Sequence, residues 1–254
     1  MAMPSDQRPP RTRWPPGFPS VVIHAPESSV KKHADYWAAK RGDADAALRL
    51  VQATLSADAV GTLRGLIGNR RPTLVSAHAL EREGVNAIPE ALADELARLL
   101  TLAVDSSVVQ TNVVSHTGAD GFSRMARQAA FTGDIVAGTD YVLVDDFVGQ
   151  GGTLANLRGI IEAAGGHVIA ATALTGKPHS AVLSPTAEQL ALLRAKHGQE
   201  LEIWWNERFG HSFDCLTQSE ARYLERTQDA DTVRNRIAEA EQAGNRDEDS
   251  GAAG

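Results

Sequence analysis

The chain has 254 residues, a net charge of -7, 43% hydrophobic and 22% charged residues, and a single cysteine, Cys215. A chain of this length buries roughly 70–75% of its unfolded surface, so its core needs no disulfide or metal staple. The acidic balance argues against a non-specific nucleic-acid binder, one cysteine excludes an intrachain disulfide, and no uninterrupted apolar run approaches the ~20 residues of a membrane span.

In chain order, residues 1–20 are rich in Pro and Arg and predict a flexible arm without the apolar stretch of a secretory signal. A cytoplasmic protein is expected. Residues 21–72 read as a helical flank. "VKKHADYWAAKRGDADAALRLVQATL" has Tyr36, Ala39, Ala47, Leu50 and Val51 at helical spacing, interrupted at Gly42, and "ADAVGTLRGLIG" suits a further short helix.

Residues 73–175 read as an α/β core. "PTLVSAHA" has strand character, and "IPEALADELARLL" places Pro89 in the first turn of an amphipathic helix. "SSVVQTNVV" is strand-like and "FSRMARQAAF" a short helix. "YVLVDD" (strand), "TLANLRGIIEAAGG" (helix) and "HVIAATALT" (strand) then make a βαβ unit, with Gly165 and Gly166 suited to the helix C-cap. Such units predict a parallel, Rossmann-like sheet, whose ligands bind beyond the carboxyl ends of the strands. Residues 176–241 form a helical extension, and the small, acidic residues 242–254 predict a disordered tail.

The chemistry gathers at "VLVDDFVGQGGTL", where an apolar strand ends in Asp145 and Asp146 and a glycine-rich turn opens a helix. Such a turn aims several N–H groups at one point, reinforced by the positive end of the helix, and so cradles a phosphate. Carboxylates beside an anion cradle suit a ligand that is both sugar and phosphate: hydroxyls donate to the acids while the phosphate enters the loop. The acids also suit Mg²⁺, directly or through water. A P-loop ATPase reading fails because "LTGKPHS" has Pro178 where the hydroxyl belongs. No G-x-G-x-x-G follows this strand, and the histidines show no zinc-site spacing.

This stretch resembles the phosphoribosyl-diphosphate (PRPP) signature of type I phosphoribosyltransferases, and the resemblance covers about Thr73–Thr175. It implies a phosphoribosyltransferase-like core, binding of PRPP with Mg²⁺, and transfer of phosphoribose to a nucleobase or related amine, or the reverse pyrophosphate exchange. It implies that Asp145 and Asp146 hold the ribose hydroxyls and that Gly149, Gln150, Gly151, Gly152 and Thr153 form the 5′-phosphate loop. The family usually carries a hydroxyl residue where Gly149 stands and a small one where Gln150 stands.

The same resemblance puts a pyrophosphate loop at Ala77, His78, Ala79 and Leu80, with His78 or Arg82 supplying positive charge. It places a closing loop with catalytic Arg124 and Arg127 in "SHTGADGFSRMARQAAFTGD", with Gly118 and Gly121 as hinges. A base-binding hood belongs outside the core; Trp204, Trp205 and Phe209 suit either ring stacking or an ordinary core. The implied partners are PRPP and a nucleobase-like small molecule, with neither nucleic acid nor membrane, and the family often forms homodimers. The competing expectation is a non-catalytic PRPP- or nucleotide-binding regulator.

Overall fold

The computed structural model describes residues 8–77, 80–81, 84–112 and 120–251. The elements run β1 (Val22–Ala25), α1 (Glu27–Lys31), α2 (Tyr36–Lys40), α3 (Ala44–Thr54), α4 (Ala57–Ile67), β2 (Thr73–Ser76), β3 (Leu80–Glu81) and β4 (Gly84–Val85). They continue with α5 (Ile88–Leu100), β5 (Ala103–Asp105), β6 (Val109–Gln110), α6 (Gly121–Ala126), β7 (Phe131–Thr132), β8 (Asp140–Val148) and α7 (Gly152–Ala163). β9 (His167–Gly176), α8 (Ala187–Phe209), α9 (Gln218–Arg226) and α10 (Ala230–Gly251) complete the chain.

Local chemistry sets many of the boundaries. Asp43 and Ser56 cap α3 and α4 by accepting from the N–H groups of Ala46 and Ala59, as short polar N-caps do. Pro89 occupies the first turn of α5, where its missing N–H costs nothing. α9 begins with a reciprocal capping box between Thr217 and Glu220. Gly198, at φ 75° and ψ 166°, breaks α8.

The five-stranded sheet has the order β1-β9-β8-β2-β5, every neighbour parallel. β3–β4 and β6–β7 are short antiparallel pairs outside it. This is the expected α/β fold, a parallel sheet with flanking helices. The sheet reaches outside residues 73–175, however, because β1 from the N-terminal flank forms its edge. The strand-like stretch at 106–114 yields only the two residues of β6 among those described.

Side chains of β8 alternate between two cores, as the period of two requires. Val142 and Val144 pack with α3, α4 and α5 on one face, while Tyr141 and Leu143 pack with α7 on the other. The helix after β2 (α5) and the helix after β8 (α7) therefore lie on opposite faces, which opens a crevice at the carboxyl ends of these two neighbouring strands. A third core, centred on Trp205, joins α6, α8, α9 and α10. Among the described residues no helix is long and apolar enough to cross a membrane.

Two terminal expectations are corrected. Residues 8–20 are a packed strap rather than a loose arm. Trp14 and Phe18 are buried in the α7-side core, and the Trp14 indole donates to the Leu216 carbonyl at 2.9 Å. Arg158 on α7 lies 4.8 Å from the Trp14 ring and donates to the Thr12 carbonyl and hydroxyl. The aromatic residues among the prolines supply the burial that composition alone hides. At the other end, α10 continues to Gly251, through most of the stretch expected to lack structure; the polar, acidic composition of that stretch does not stop the helix because it contains no proline.

Candidate functional site

The crevice between β2 and β8 opens into a cavity of about 340 Å³. Asp145 and Asp146 reach it from the end of β8, and Ala77 from the end of β2, where the Ala77 N–H donates to the Val144 carbonyl at 2.8 Å. Gly149, Gln150, Gly151, Gly152 and Thr153 line it as β8 turns into α7, with Gly151 in the left-handed region at φ 82°. The two acids and the glycine-rich turn thus line one cavity.

The two carboxyls differ. Asp145 is buried, and one of its oxygens accepts from the Asp146 N–H at 2.8 Å. Burial, followed by the neighbouring Asp146 charge, raises its pKa well above the usual carboxylate value. For Asp146 burial is the largest influence and pushes upward, but the Lys40 ammonium, 3.1 Å from its carboxylate, together with the Asn86 and Asp145 side chains, holds its pKa below the ordinary value. The pair therefore favours one neutral acid and one anion.

Arg124 lines the cavity from α6, and its guanidinium lies against Gly149 where a Cβ would otherwise project. A side chain larger than glycine at this position would collide with it. Arg127 ends α6 and does not line the cavity, because the short helix turns it aside while burying Phe122 and Met125. Gly121, expected as a hinge, is instead the first residue of α6, packed against the Tyr223 ring. His78, Ala79, Arg82 and Gly118 lie outside the described residues.

Trp205 and Phe209 are buried in the third core, with Trp204 packed against them, and none lines the cavity. Their ring-stacking alternative is corrected: α8 aims them at α9 and α10. The aromatic side chains that do reach the cavity are Tyr36 and Trp37 of α2 and Phe147 of β8, with the Lys31 ammonium 4.8 Å from the Phe147 ring.

Sequence reasoning also passed over Lys40, Arg11, Asn156 and Glu220, all of which line the cavity. Arg11 comes from the strap and donates to Asn156 at 2.6 Å and to both oxygens of Glu220 at 2.6 and 2.9 Å. Two signals were available: an asparagine among the leucines and isoleucines of α7, and the T-x-x-E capping box at Thr217–Glu220. Nothing local marks Lys40 or Arg11.

The donor set can accept Mg²⁺ only in part. One carboxyl is shifted towards its neutral form, the other already meets an ammonium, and among the described residues no three His, Cys, Asp or Glu side chains gather as a metal site. This suits a cation held largely by ligand phosphates and waters, with Asp146 nearby.

No family model matches the chain. The chain is 40% identical over 238 residues to an Escherichia coli protein named Protein TraN, a match covering 94% of this chain and 53% of that one. It is 38% identical over 151 residues to an uncharacterized protein of Haemophilus influenzae, covering 59% of this chain and 34% of that one. The chain thus spans about half, or less, of the curated relatives it matches. Among solved structures, an adenine phosphoribosyltransferase aligns at 12% identity and TM-score 0.34, over 55% of this chain and 72% of that one. The Leishmania donovani adenine phosphoribosyltransferase aligns at 13% identity and TM-score 0.33, over 63% and 74%. That of Thermoanaerobacter pseudethanolicus aligns at 15% identity and TM-score 0.29, over 48% and 82%.

Proposed function

We propose that this chain binds PRPP with Mg²⁺ and transfers its phosphoribosyl group to a nucleobase or related amine, releasing pyrophosphate. One observation carries the reading: the carboxyl pair at the end of β8 and the Gly149–Thr153 turn into α7 line one cavity. The resemblance of "VLVDDFVGQGGTL" to the PRPP signature supports the same assignment.

In this reading the ribose hydroxyls donate to Asp146, while Asp145, in its neutral form, both donates and accepts. The 5′-phosphate meets the turn and the positive end of α7. Arg124 binds the pyrophosphate oxygens, for which its guanidinium fork is suited. Asp146, together with oxygens of the ligand, would hold Mg²⁺, whose chemistry there would be to neutralise charge on the departing pyrophosphate. The acceptor nitrogen forms its bond to C1′ as the bond from C1′ to pyrophosphate breaks, and the leaving oxygen takes the electron pair. The acceptor's proton departs to solvent. The negative field of Asp146 favours the positive charge that develops on the ribose, and the buried walls limit access of water to that cation.

A non-catalytic PRPP- or nucleotide-binding regulator is the second reading. The Lys40–Asp146 ion pair favours it, since a ligand must share or open that contact. The distinguishing experiment is pyrophosphate release from PRPP and Mg²⁺ across a panel of purine, pyrimidine and pyridine acceptors. Transfer predicts release that depends on one acceptor class and is lost in Asp146→Asn. Binding of PRPP without release for any acceptor favours the regulator.

A further inference from the structure

An aromatic wall adjoins the carboxyl pair. Lys40, which holds Asp146 at 3.1 Å, follows Trp37 by three residues on α2, so the two stand about 4.5 Å apart along the helix axis. Phe147 follows Asp146 directly on β8, and Tyr36, Trp37 and Phe147 all line the cavity. Trp37 packs against Tyr36 with ring centroids 5.1 Å apart, yet it remains 52% exposed. About half of a large apolar ring is thus left uncovered in a cavity wall, next to the place the ribose would occupy. Positive charge gathers at the same wall. The Lys31 ammonium lies 4.8 Å from the Phe147 ring centroid and lines the cavity. Lys31 and Lys177 share the Glu27 carboxylate, each at 2.5 Å, and both lysines are about half exposed. Two ammoniums on one carboxylate leave one positive charge in excess.

We propose that this wall selects the acceptor, and that the acceptor class is a planar ring bearing a carboxylate: the ring lies on Trp37 and its carboxylate meets Lys31. The inference rests on the phosphoribosyl-transfer reading above and names its acceptor class. The other cations of the cavity are engaged in that reading. Lys40 pairs with Asp146, Arg11 pairs with Glu220, and Arg124 meets the pyrophosphate. The excess charge of Lys31, Glu27 and Lys177 stands apart from these groups and beside the aromatic rings. A neutral ring gains only the contact with Trp37, whereas a ring acid adds attraction to Lys31. Because both lysines are half exposed, that attraction is screened, so the preference for the acid is moderate and shrinks as salt rises.

The test compares benzoate with benzamide, rings of one size that lack a nucleophilic ring nitrogen, so that equilibrium binding is read without transfer. PRPP with Mg²⁺ is first titrated calorimetrically into the parent, Lys31→Gln and Trp37→Leu, and each ring is then titrated into the loaded protein. Lys31→Gln keeps the fold because the side chain is half exposed and Glu27 retains Lys177. The parent is expected to bind benzoate about fivefold more tightly than benzamide at low ionic strength. Lys31→Gln should lose most of that preference, and Trp37→Leu should weaken both rings about fivefold. Tryptophan emission locates the ring: Trp14 and Trp205 are buried and Trp204 packs in the third core, so quenching by benzoate should vanish in Trp37→Leu. Benzamide binding as tightly as benzoate, a preference that survives Lys31→Gln, quenching that survives Trp37→Leu, or no ring binding to PRPP-loaded parent overturns this inference alone. Failure of the folded parent to bind PRPP overturns it together with the phosphoribosyl-transfer reading.

Discussion

Replacing Gly159 with alanine should destabilise the protein by about 3 kcal/mol and release its N-terminal strap. A Cβ at this position would overlap the Pro10 carbonyl oxygen and come within 3.0 Å of the Arg11 Cα. Both obstacles are backbone, so the strap itself must move. Overpacking of this kind costs roughly 1–3 kcal/mol. Moving Arg11 also leaves Glu220 buried without its cation, and breaking a buried pair costs roughly 3–5 kcal/mol; the strap's partial rearrangement recovers some of the sum. Urea denaturation reads the loss, and limited trypsin digestion reads the release, because the buried Arg11 becomes accessible to cleavage. An unchanged midpoint with the strap still protected would mean that residues 8–20 are not held against α7 as described.

Asp145→Asn should have the opposite effect at neutral pH and make the protein more stable. Burial and the adjacent Asp146 charge raise the Asp145 pKa above its ordinary 3.8. The folded state therefore binds this proton more tightly than the unfolded chain does. The associated stability is fully present below the unfolded pKa and is lost as pH rises through the folded one. Asparagine is close in shape to the neutral acid and carries no charge to desolvate. One pKa unit corresponds to ~1.4 kcal/mol, so the gain at pH 8 is on the order of 1 kcal/mol or more and shrinks as pH falls towards 4. Asp146 titrates with the reverse sign: its depressed pKa contributes stability above the unfolded value that is lost as pH falls through the folded one. Denaturation curves for parent and variant at pH 4, 6 and 8 separate the two. A variant less stable than the parent at pH 8 would show that Asp145 is held as an anion.

These contrasts mark what the sequence could and could not disclose. The apolar run of β8, the helical stripe of α7 and the proline-led start of α5 are local signals, and each element lies where its pattern predicts. The meeting of Asp145–Asp146 with the glycine turn was legible because those residues adjoin in sequence. Lys40 was not: its contact with Asp146 spans 106 positions and depends on α2 crossing the sheet end. Arg11 and Glu220 are 209 positions apart, and a Pro/Arg-rich segment gives no local reason to expect a buried cation. The tryptophan-rich α8 left two readings open for a complementary reason, since composition shows that aromatic side chains will be buried but not whether a ligand or a second helix buries them. Tyr36 and Trp37 were legible as helix residues, yet only the packing of α2 brings them to the cavity.

The central claim is that the β8 carboxyls and the Gly149–Thr153 turn form one sugar-phosphate site. Calorimetric titration of PRPP with Mg²⁺ into the parent and the Asp145→Asn/Asp146→Asn double variant tests it most directly. Losing the charge-assisted contact to Asp146, roughly 1.5–3 kcal/mol, and weakening the neutral one to Asp145, the variant should bind at least about tenfold more weakly while remaining folded. Absence of binding by the folded parent, or equal binding by the two proteins, would contradict the claim.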